Sequence, residues 1–294
     1  MISTEAQTVT NMSTPSTRAS TVREHPVPAY FLLAFLISWG GIAGLVLPGG
    51  LPKTSGELDA LYLPVFLVML CGPSIAGLAM TLLLDGRSGL GALFRSFTRW
   101  RVGFGYYLFA LVAPAIALIV LGAFSAFSPV FTPTVLGATG GMALLATSLV
   151  IGFAAGFLEE LGWTGFAARR LLLTRSVVMT AVLIGVPHGL WHLLVGYFWG
   201  DGASFGLLFI PYFVSAWIMT LTALRMLIVW LYQRTQSGLV AALTHAGYTA
   251  SLVALWPVGT APAETMIWTG VFAATLLAAA TALTRSFPNR LVPA

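Results

Sequence analysis

The sequence predicts an all-α, polytopic membrane protein with about eight transmembrane helices, and two observations lead to this prediction. Of its 294 residues, 58% are hydrophobic and only 8% are charged, whereas soluble domains carry roughly 25% charged residues. In addition, the chain contains eight apolar stretches long enough to cross a hydrocarbon core about 30 Å thick, which takes about 20 helical residues. These stretches cover approximately residues 29–47, 61–84, 103–124, 140–163, 177–199, 205–231, 238–256 and 264–283.

The composition divides the chain into one membrane domain and two polar tails. Residues 1–26 are rich in Ser and Thr and lack the apolar core of a signal peptide, so they are predicted to form a disordered cytoplasmic tail. Residues 27–284 form the predicted eight-helix membrane domain, and residues 285–294 a short cytoplasmic tail. The single cysteine, Cys71, falls in an apolar run and is predicted to be a small buried residue.

The basic residues predict the orientation of the helices, because Lys and Arg accumulate in cytoplasmic connections. With the N-terminus inside, every basic residue except Lys53 falls on the cytoplasmic side, and Arg225 is counted there with the rest. The sequence therefore predicts a plasma-membrane protein with both termini in the cytoplasm and the lipid bilayer as its surroundings. The net charge of +5 is explained by this orientation and requires no nucleic-acid partner.

The first three predicted helices show features of a scaffold. The spacing of Gly40 and Gly44 is typical of membrane helices that pack closely, so these two glycines are predicted to contact a neighbouring helix. No residue in these helices suggests chemistry.

Two adjacent carboxylates, Glu159 and Glu160, end the fourth predicted helix. A carboxylate at membrane depth costs at least a few kcal/mol on insertion scales, so the pair indicates a functional site with polar partners. Three histidines in later apolar segments are available as partners: His188, His192 and His245.

Small residues share a helical face with these polar groups in three helices. The faces comprise Gly152, Ala155, Gly156 and Glu159 in the fourth helix, Ala181, Gly185, His188, Gly189, His192 and Gly196 in the fifth, and Gly238, Ala241, Ala242, His245 and Thr249 in the seventh. Small residues let membrane helices approach closely. We therefore expect the three helices to direct their polar groups into one shared interior.

Such a cluster suits amide hydrolysis, because a carboxylate removed from bulk water is a competent base towards a water molecule. A neighbouring imidazole can protonate a leaving amine, and a second polar group can donate to a developing oxyanion. Zinc is an alternative cofactor, since His188 and His192 with a carboxylate are acceptable ligands, although the His-Glu-x-x-His pattern is missing. A proton or substrate relay in a transporter, or a noncatalytic scaffold or immunity protein, remains a further alternative.

At these residues the sequence resembles the CAAX-protease and bacteriocin-processing (CPBP) family, which includes type II CAAX prenyl endopeptidases. The family's Glu-Glu-x-x-x-Arg motif is similar to Glu159 through Gly165, its Trp-His-Leu motif to His188 through Leu193, and its His-Ala-x-x-Asn motif to His245 through Thr249. The motifs occur in the family's order within roughly residues 140–250, and the protease core is predicted at about residues 140–256. The resemblance implies an eight-helix intramembrane endopeptidase without a cofactor, acting on a peptide or membrane-protein substrate near the cytoplasmic leaflet. It leaves open whether that substrate is prenylated.

The resemblance also implies roles for individual residues. Glu159 corresponds to the catalytic glutamate, Glu160 to the orienting carboxylate, His192 to the assisting histidine, and His245 to a contributor on the oxyanion side. Three supporting positions depart from the family pattern: Thr164 replaces an arginine, His188 an aromatic residue, and Thr249 an asparagine. Without the arginine, Glu160 is expected to lack a cation and to be protonated.

The predicted helix boundaries leave one inconsistency in this picture. Glu159 lies near the predicted cytoplasmic end of its helix, whereas His192 is about fifteen residues into the next one. At about 1.5 Å per residue the two would differ in depth by roughly 22 Å. They could meet if the fifth helix began later or if the helices were tilted.

Overall fold

The computed structural model describes residues 22–50, 55–137, 139–200 and 202–287, with no side-chain description at 55–58. Helices and turns make up this part of the chain, and it contains no strand. The main helices are α1 Pro26–Val46, α2 Ser55–Phe97, α3 Val112–Ser125, α4 Gly141–Gly162, α5 Val177–Trp191, α6 Thr220–Thr235, α7 Gly238–Leu255 and α8 Pro262–Ser286. Most of the two predicted tails, and Lys53, lie outside the described residues.

Shorter helical segments connect or extend the main helices. They are Leu47–Gly49, Phe104–Phe109, Pro129–Phe131, Thr134–Gly137, Trp163–Ala168, Arg169–Leu171, Leu193–Phe198, Gly202–Leu208, Phe209–Phe213 and Val214–Met219. Trp163–Ala168 and Val214–Met219 are π-helical, a form that is often found at functional sites.

Seven helical stretches in the described part of the chain are long and apolar enough to cross a membrane. They are Pro26–Gly49, Asp59–Phe97, Phe104–Ser125, Gly141–Leu171, Gly202–Thr235, Gly238–Leu255 and Pro262–Ser286. The outer surface of the bundle exposes large apolar side chains such as Ile119 and Met142, which is suited to contact with lipid. The protein is therefore an all-α, polytopic integral membrane protein, as predicted.

The remaining predicted span, residues 177–199, which is the fifth in chain order, is interrupted. Helix α5 ends at Trp191 because the backbone tightens at His192 (φ −75°, ψ −2°), and a second segment, Leu193–Phe198, follows. Together the two segments cover almost the whole predicted range. The interruption gives His192 a position that a continuous helix would not provide.

The two ends of the bundle differ in charge. Helices α2, α4 and α6 finish at the same end of the bundle, and the connections at this end carry Arg99, Arg101 and Arg175. We call it the basic end. The opposite end is formed by the connections around residues 199–209 and 256–262. Cys71 lies on the exposed outer face of α2, so the prediction that it is buried was wrong.

The small residues of α4 do bring it into close contact with α7. A Cβ atom at Gly152 would lie 2.5 Å from the Ala246 carbonyl oxygen, and one at Gly156 would lie 2.4 Å from the Ala242 carbonyl oxygen. Real Cβ atoms do not approach so closely, so only glycine permits this spacing of the two helices. The contact places Glu159 beside α7.

The small face of α5 packs against a different helix from the one expected. Cβ atoms at Gly185 and Gly189 would lie 2.5 Å from Thr222 Cα and 2.7 Å from Ile218 Cα, so both glycines face α6 and the π-helical turn before it. By contrast, Gly40 and Gly44 face open space within the described structure. The prediction that this pair packs closely was wrong.

These contacts predict the effect of adding a side chain at Gly156. We expect Gly156→Leu to destabilise the protein by about 3 kcal/mol, the upper part of the range for overpacked cores, because α4 and α7 must separate. The matched variant Gly44→Leu, on the exposed face of α1, should melt like the wild type. Tryptophan fluorescence of the detergent-purified protein during heating measures both, and equal melting of the two variants would contradict the packing described.

Candidate active site

Five polar side chains in the centre of the bundle form one continuous network of contacts. The network joins Glu159 and Glu160 on α4, His188 on α5, Arg225 on α6 and His245 on α7, and each residue is at most 2% exposed. Buried ionisable groups are costly unless they are paired. The pairing in this network therefore determines what each member can do.

Arg225 is the centre of the network. Its Nη1 atom donates to Glu160 Oε2 at 2.8 Å, and its Nη2 atom donates to Glu160 Oε1. This is the bidentate contact that a planar guanidinium makes with a carboxylate. Thr164 also donates its hydroxyl to Glu160 Oε2, so Glu160 has a cation and additional donors.

The expectation that Glu160 lacks a cation was therefore wrong. It considered only position 164, one turn along the same helix, where the family pattern has an arginine. Here the guanidinium comes from Arg225 on another helix, which the close packing of α5 against α6 brings inside. Arg225 was also wrongly counted among the residues of a cytoplasmic connection, since it lies in the middle of a membrane-spanning stretch.

A signal for Arg225 was present in the sequence. The residue lies within the apolar stretch 205–231, and an arginine inside a membrane span indicates a functional site and a partner by the same reasoning that singled out Glu159. Because the orientation rule also explains an arginine near the end of a span, the charge alone does not require a buried partner. Its chain position does not show that the partner would be Glu160.

The contacts of His188 define which of its nitrogens carries the proton. Arg225 Nε lies 3.3 Å from His188 Nδ1 and can only donate. We therefore assign the proton of the neutral ring to Nε2. This atom lies 2.9 Å from Glu159 Oε2, although the approach is not aligned as a hydrogen bond.

Glu159 has a second donor in Trp163, whose indole Nε1 lies 3.1 Å from Glu159 Oε2. The Trp163 ring also packs against the His188 ring, with 4.9 Å between centroids. Trp163 belongs to the π-helical turn that continues α4. This turn therefore positions both the carboxylate and its neighbouring imidazole.

His245 contacts the other carboxylate. Its Nδ1 atom lies 2.7 Å from Glu160 Oε1 and 3.3 Å from Arg225 Nη2. Because the shorter contact is to a carboxylate, which can only accept, we assign the proton of His245 to Nδ1. Its Nε2 atom then keeps a free lone pair, as in a histidine that a carboxylate orients for proton transfer.

Two further predicted residues lie at a cavity beside the network. His192 and Thr249 line a cavity of about 430 Å³, together with Glu159 and His245. The His192 ring stacks on Trp217 with 4.5 Å between centroids, and its Nδ1 atom is buried with no hydrogen-bond partner among the described residues. Thr249 follows His245 by one turn of α7.

All seven predicted site residues thus lie in or beside this site, but their contacts differ from the expected ones. His188 contacts Glu159 directly. His192 lies further from Glu159, behind His188, and the centroids of the two imidazole rings are 5.3 Å apart. The roles of the individual residues remain predictions.

The apparent difference in depth between Glu159 and the histidines has a simple cause. The fourth membrane-spanning stretch continues to Leu171 rather than ending near residue 163, because Trp163–Ala168 form a buried helical turn. Glu159 is therefore twelve residues before the end of its helix, and His188 is eleven residues after the start of α5. At about 1.5 Å per residue both lie roughly 16–18 Å from the basic end, inside the bundle.

Three of the residues form a group that a metal ion could in principle bridge. Each residue offers one ligand atom, and the three atoms, from Glu159, His188 and His245, lie within 4.8 Å of one another. However, Nε2 of His188 carries the proton in the assignment above and offers no lone pair, and the guanidinium of Arg225 beside it repels a cation. The donor set in this form does not fit zinc, which needs at least three protein ligands at a catalytic site.

The fold and the site together define a class: a polytopic membrane protein in which a buried carboxylate–histidine network faces an internal cavity. Residues 141–251, which hold all five members of the network, match the family model described as type II CAAX prenyl endopeptidase Rce1-like. This match confirms the predicted resemblance to type II CAAX prenyl endopeptidases for this part of the chain. Comparison with curated proteins finds no match.

The family is one of proteases that act on peptide substrates in the membrane. Its match therefore supports peptidase activity at the level of the family. The mechanism and the substrate of this chain are matters of proposal.

Proposed function

We propose that this protein is an intramembrane endopeptidase that hydrolyses peptide bonds with a water molecule activated by Glu159. One observation carries the proposal: Glu159 and His245 line the same cavity, and both belong to a network whose other charges, Glu160 and Arg225, neutralise each other. The network thus leaves one carboxylate and one imidazole lone pair for proton transfer.

In this reaction Glu159 removes a proton from water as the water oxygen attacks the peptide carbonyl carbon. The carbonyl oxygen becomes an oxyanion, and the hydroxyl of Thr249 is the proposed donor to it. Glu159 then returns its proton to the amide nitrogen as the C–N bond breaks. The products are a carboxylic acid and an amine, so atoms and charges balance without a metal.

The remaining residues of the network support these steps by holding Glu159 and His245 in place. Donation from Trp163 and the proximity of His188 Nε2 fix the Glu159 carboxylate. Glu160 orients His245, which can share the proton of the attacking water or of the leaving amine. His192, on the cavity wall, assists with its Nδ1 atom, which has no hydrogen-bond partner within the described part of the chain.

The substrate of this reaction is proposed to be a peptide or a membrane-protein segment. The cavity is mostly apolar, with rings such as Trp217, Trp268 and Phe272 in its wall, and its volume of about 430 Å³ is in the range of pockets that enclose ligands. An apolar side chain or a prenyl group would suit it. Whether the substrate is prenylated is decided by assay.

A cleavage assay on the purified, reconstituted protein tests the proposal. A panel of prenylated and unprenylated peptides is incubated with it, and the products are identified by mass spectrometry. We expect cleavage at internal peptide bonds, with a new carboxylate and a new amine. Complete lack of cleavage across the panel by well-folded protein would favour the relay or scaffold alternatives.

The same assay tests the zinc alternative. Because the tautomer assigned to His188 does not suit a metal ligand, we expect dialysis against 1,10-phenanthroline or EDTA to leave the rate unchanged. Loss of activity on chelation, with recovery on added Zn²⁺, would show that Glu159, His188 and His245 bind a metal and that the assignment is wrong.

A further inference from the structure

The cavity lies mainly in one half of the bundle. Most described residues in its wall lie in the half of their helix that leads to the end opposite the basic end; examples are Tyr62 at the start of α2, Trp199 after α5 and Trp256 after α7. Glu159 and His245 form its innermost part. The cavity therefore extends from the network towards the opposite end.

A second cavity continues it in the same direction. This cavity has a volume of about 210 Å³ and lies between the connections at residues 200–205 and 256–262. The two cavities share Gly200, Tyr212 and Trp256 in their walls. Val258, in the wall of the second cavity, is 75% exposed. The two cavities thus form a route from the surface of the opposite end to Glu159.

The basic end is closed in the described part of the structure. The side chains of Trp163 and Phe166, one and two turns beyond Glu159, are fully buried. At the surface of this end, Arg170 covers the Phe166 ring, 3.9 Å from its centroid, and pairs with Asp85 at 2.8 Å. Ser237 closes another connection by donating to the Arg99 carbonyl oxygen at 2.6 Å.

The composition of the wall indicates what can enter. Among its described residues neither cavity contains Lys or Arg, and the only carboxylate in the wall is Glu159. Arg225 is 0% exposed and fully engaged by Glu160. A free C-terminal carboxylate near the reacting bond would therefore find no cation among the described wall residues and would lie beside the Glu159 carboxylate.

We propose that the cavity receives its substrate from the extracytoplasmic face of the membrane, and that this substrate is an uncharged, apolar internal segment of a polypeptide. The assignment of the face follows from the arginines at the basic end, which mark the cytoplasmic side. The nature of the segment rests on the endopeptidase function proposed above, whereas the direction of access does not. The proposal replaces the expectation of a site near the cytoplasmic leaflet.

Cysteine labelling tests the direction of access without requiring activity. In a Cys71→Ser background, single variants Val258→Cys, Leu252→Cys and Val253→Cys place a thiol in the second cavity or in the wall of the first. Thr98→Cys, at the basic end, is the matched control. None of these positions belongs to the network. A membrane-impermeant maleimide is applied to sealed right-side-out and inside-out vesicles.

We expect at least tenfold faster labelling of the cavity positions in right-side-out vesicles than in inside-out vesicles, and the reverse for Thr98→Cys. Faster labelling of Leu252→Cys and Val253→Cys from the same face as Thr98→Cys would overturn the route. Labelling of Val258→Cys only in inside-out vesicles would overturn the assignment of the face. A cavity that labels from neither face, but does label in detergent, would likewise contradict the proposal.

The nature of the substrate is tested with any peptide that the purified protein cleaves. Two forms are compared, one ending in a free carboxylate within three residues of the cleaved bond and one amidated at that position. We expect the amidated form to have the higher kcat/KM, by about tenfold or more. Preference for the free acid would refute the internal-segment proposal while leaving both the endopeptidase function and the labelling result intact.

Discussion

Replacing Glu159 with glutamine is expected to reduce peptide cleavage by a factor of about 10² to 10⁴, the range typical for loss of a general base. Glutamine keeps the size of the side chain and can still accept the hydrogen bond from Trp163, but it cannot take a proton from water. The turnover number should therefore fall, while the yield, the melting temperature and the apparent KM remain near those of the wild type.

A matched exchange controls for the loss of a carboxylate as such. Glu264 caps the N-terminus of α8 by accepting from the Ala261 backbone amide, and it lies outside the walls of both cavities. Glu264→Gln should retain full activity, because glutamine can accept the same hydrogen bond. If Glu159→Gln were as active as Glu264→Gln, the water-activating role of Glu159 would be refuted.

Removing Arg225 is expected to have the second large effect, on stability as well as on activity. In Arg225→Thr the buried Glu160 carboxylate loses its cation, and breaking one partner of a buried pair typically costs about 3–5 kcal/mol. His245 then loses its fixed orientation, and the donor to Nδ1 of His188 disappears. We expect a much lower melting temperature and no measurable cleavage.

Moving the guanidinium back to α4 separates the role of the charge from general damage. The double variant Thr164→Arg with Arg225→Thr places an arginine one helical turn from Glu160, where the family pattern has it. We expect this variant to recover at least part of the melting temperature and of the cleavage rate. Thr164→Arg alone should be destabilised, because it adds a second guanidinium to a filled site.

Arg225→Lys provides a further comparison. It keeps the positive charge but loses the bidentate contact with Glu160 and the donor to His188. Its melting temperature and cleavage rate should therefore lie between those of the wild type and of Arg225→Thr. If the folded double variant remained as inactive and unstable as Arg225→Thr, the proposal that Arg225 takes the place of the missing motif arginine would be wrong.

Patterns within single segments were sufficient to determine the class of the protein from sequence. A helix that crosses the hydrocarbon core must be apolar over about 20 residues, so composition and run length identified a polytopic all-α fold. The cost of burying charge singled out Glu159 and Glu160, and the helical period placed small residues on their face. The contact of Gly152 and Gly156 with α7 followed this pattern.

The tertiary structure alone decided which groups meet across helices. Small residues in a sequence show that a helix has a close neighbour but not which one, and so the sequence did not reveal that α5 packs on α6 and brings Arg225 to Glu160. Likewise, hydropathy could not show that the membrane-spanning stretch containing α4 continues to Leu171. An interfacial segment with arginines has the same composition as the last turns of a long helix. Both outcomes depend on contacts between residues distant in the chain, since the free energy of packing and of pairing buried charges outweighs the local preferences that a sequence displays.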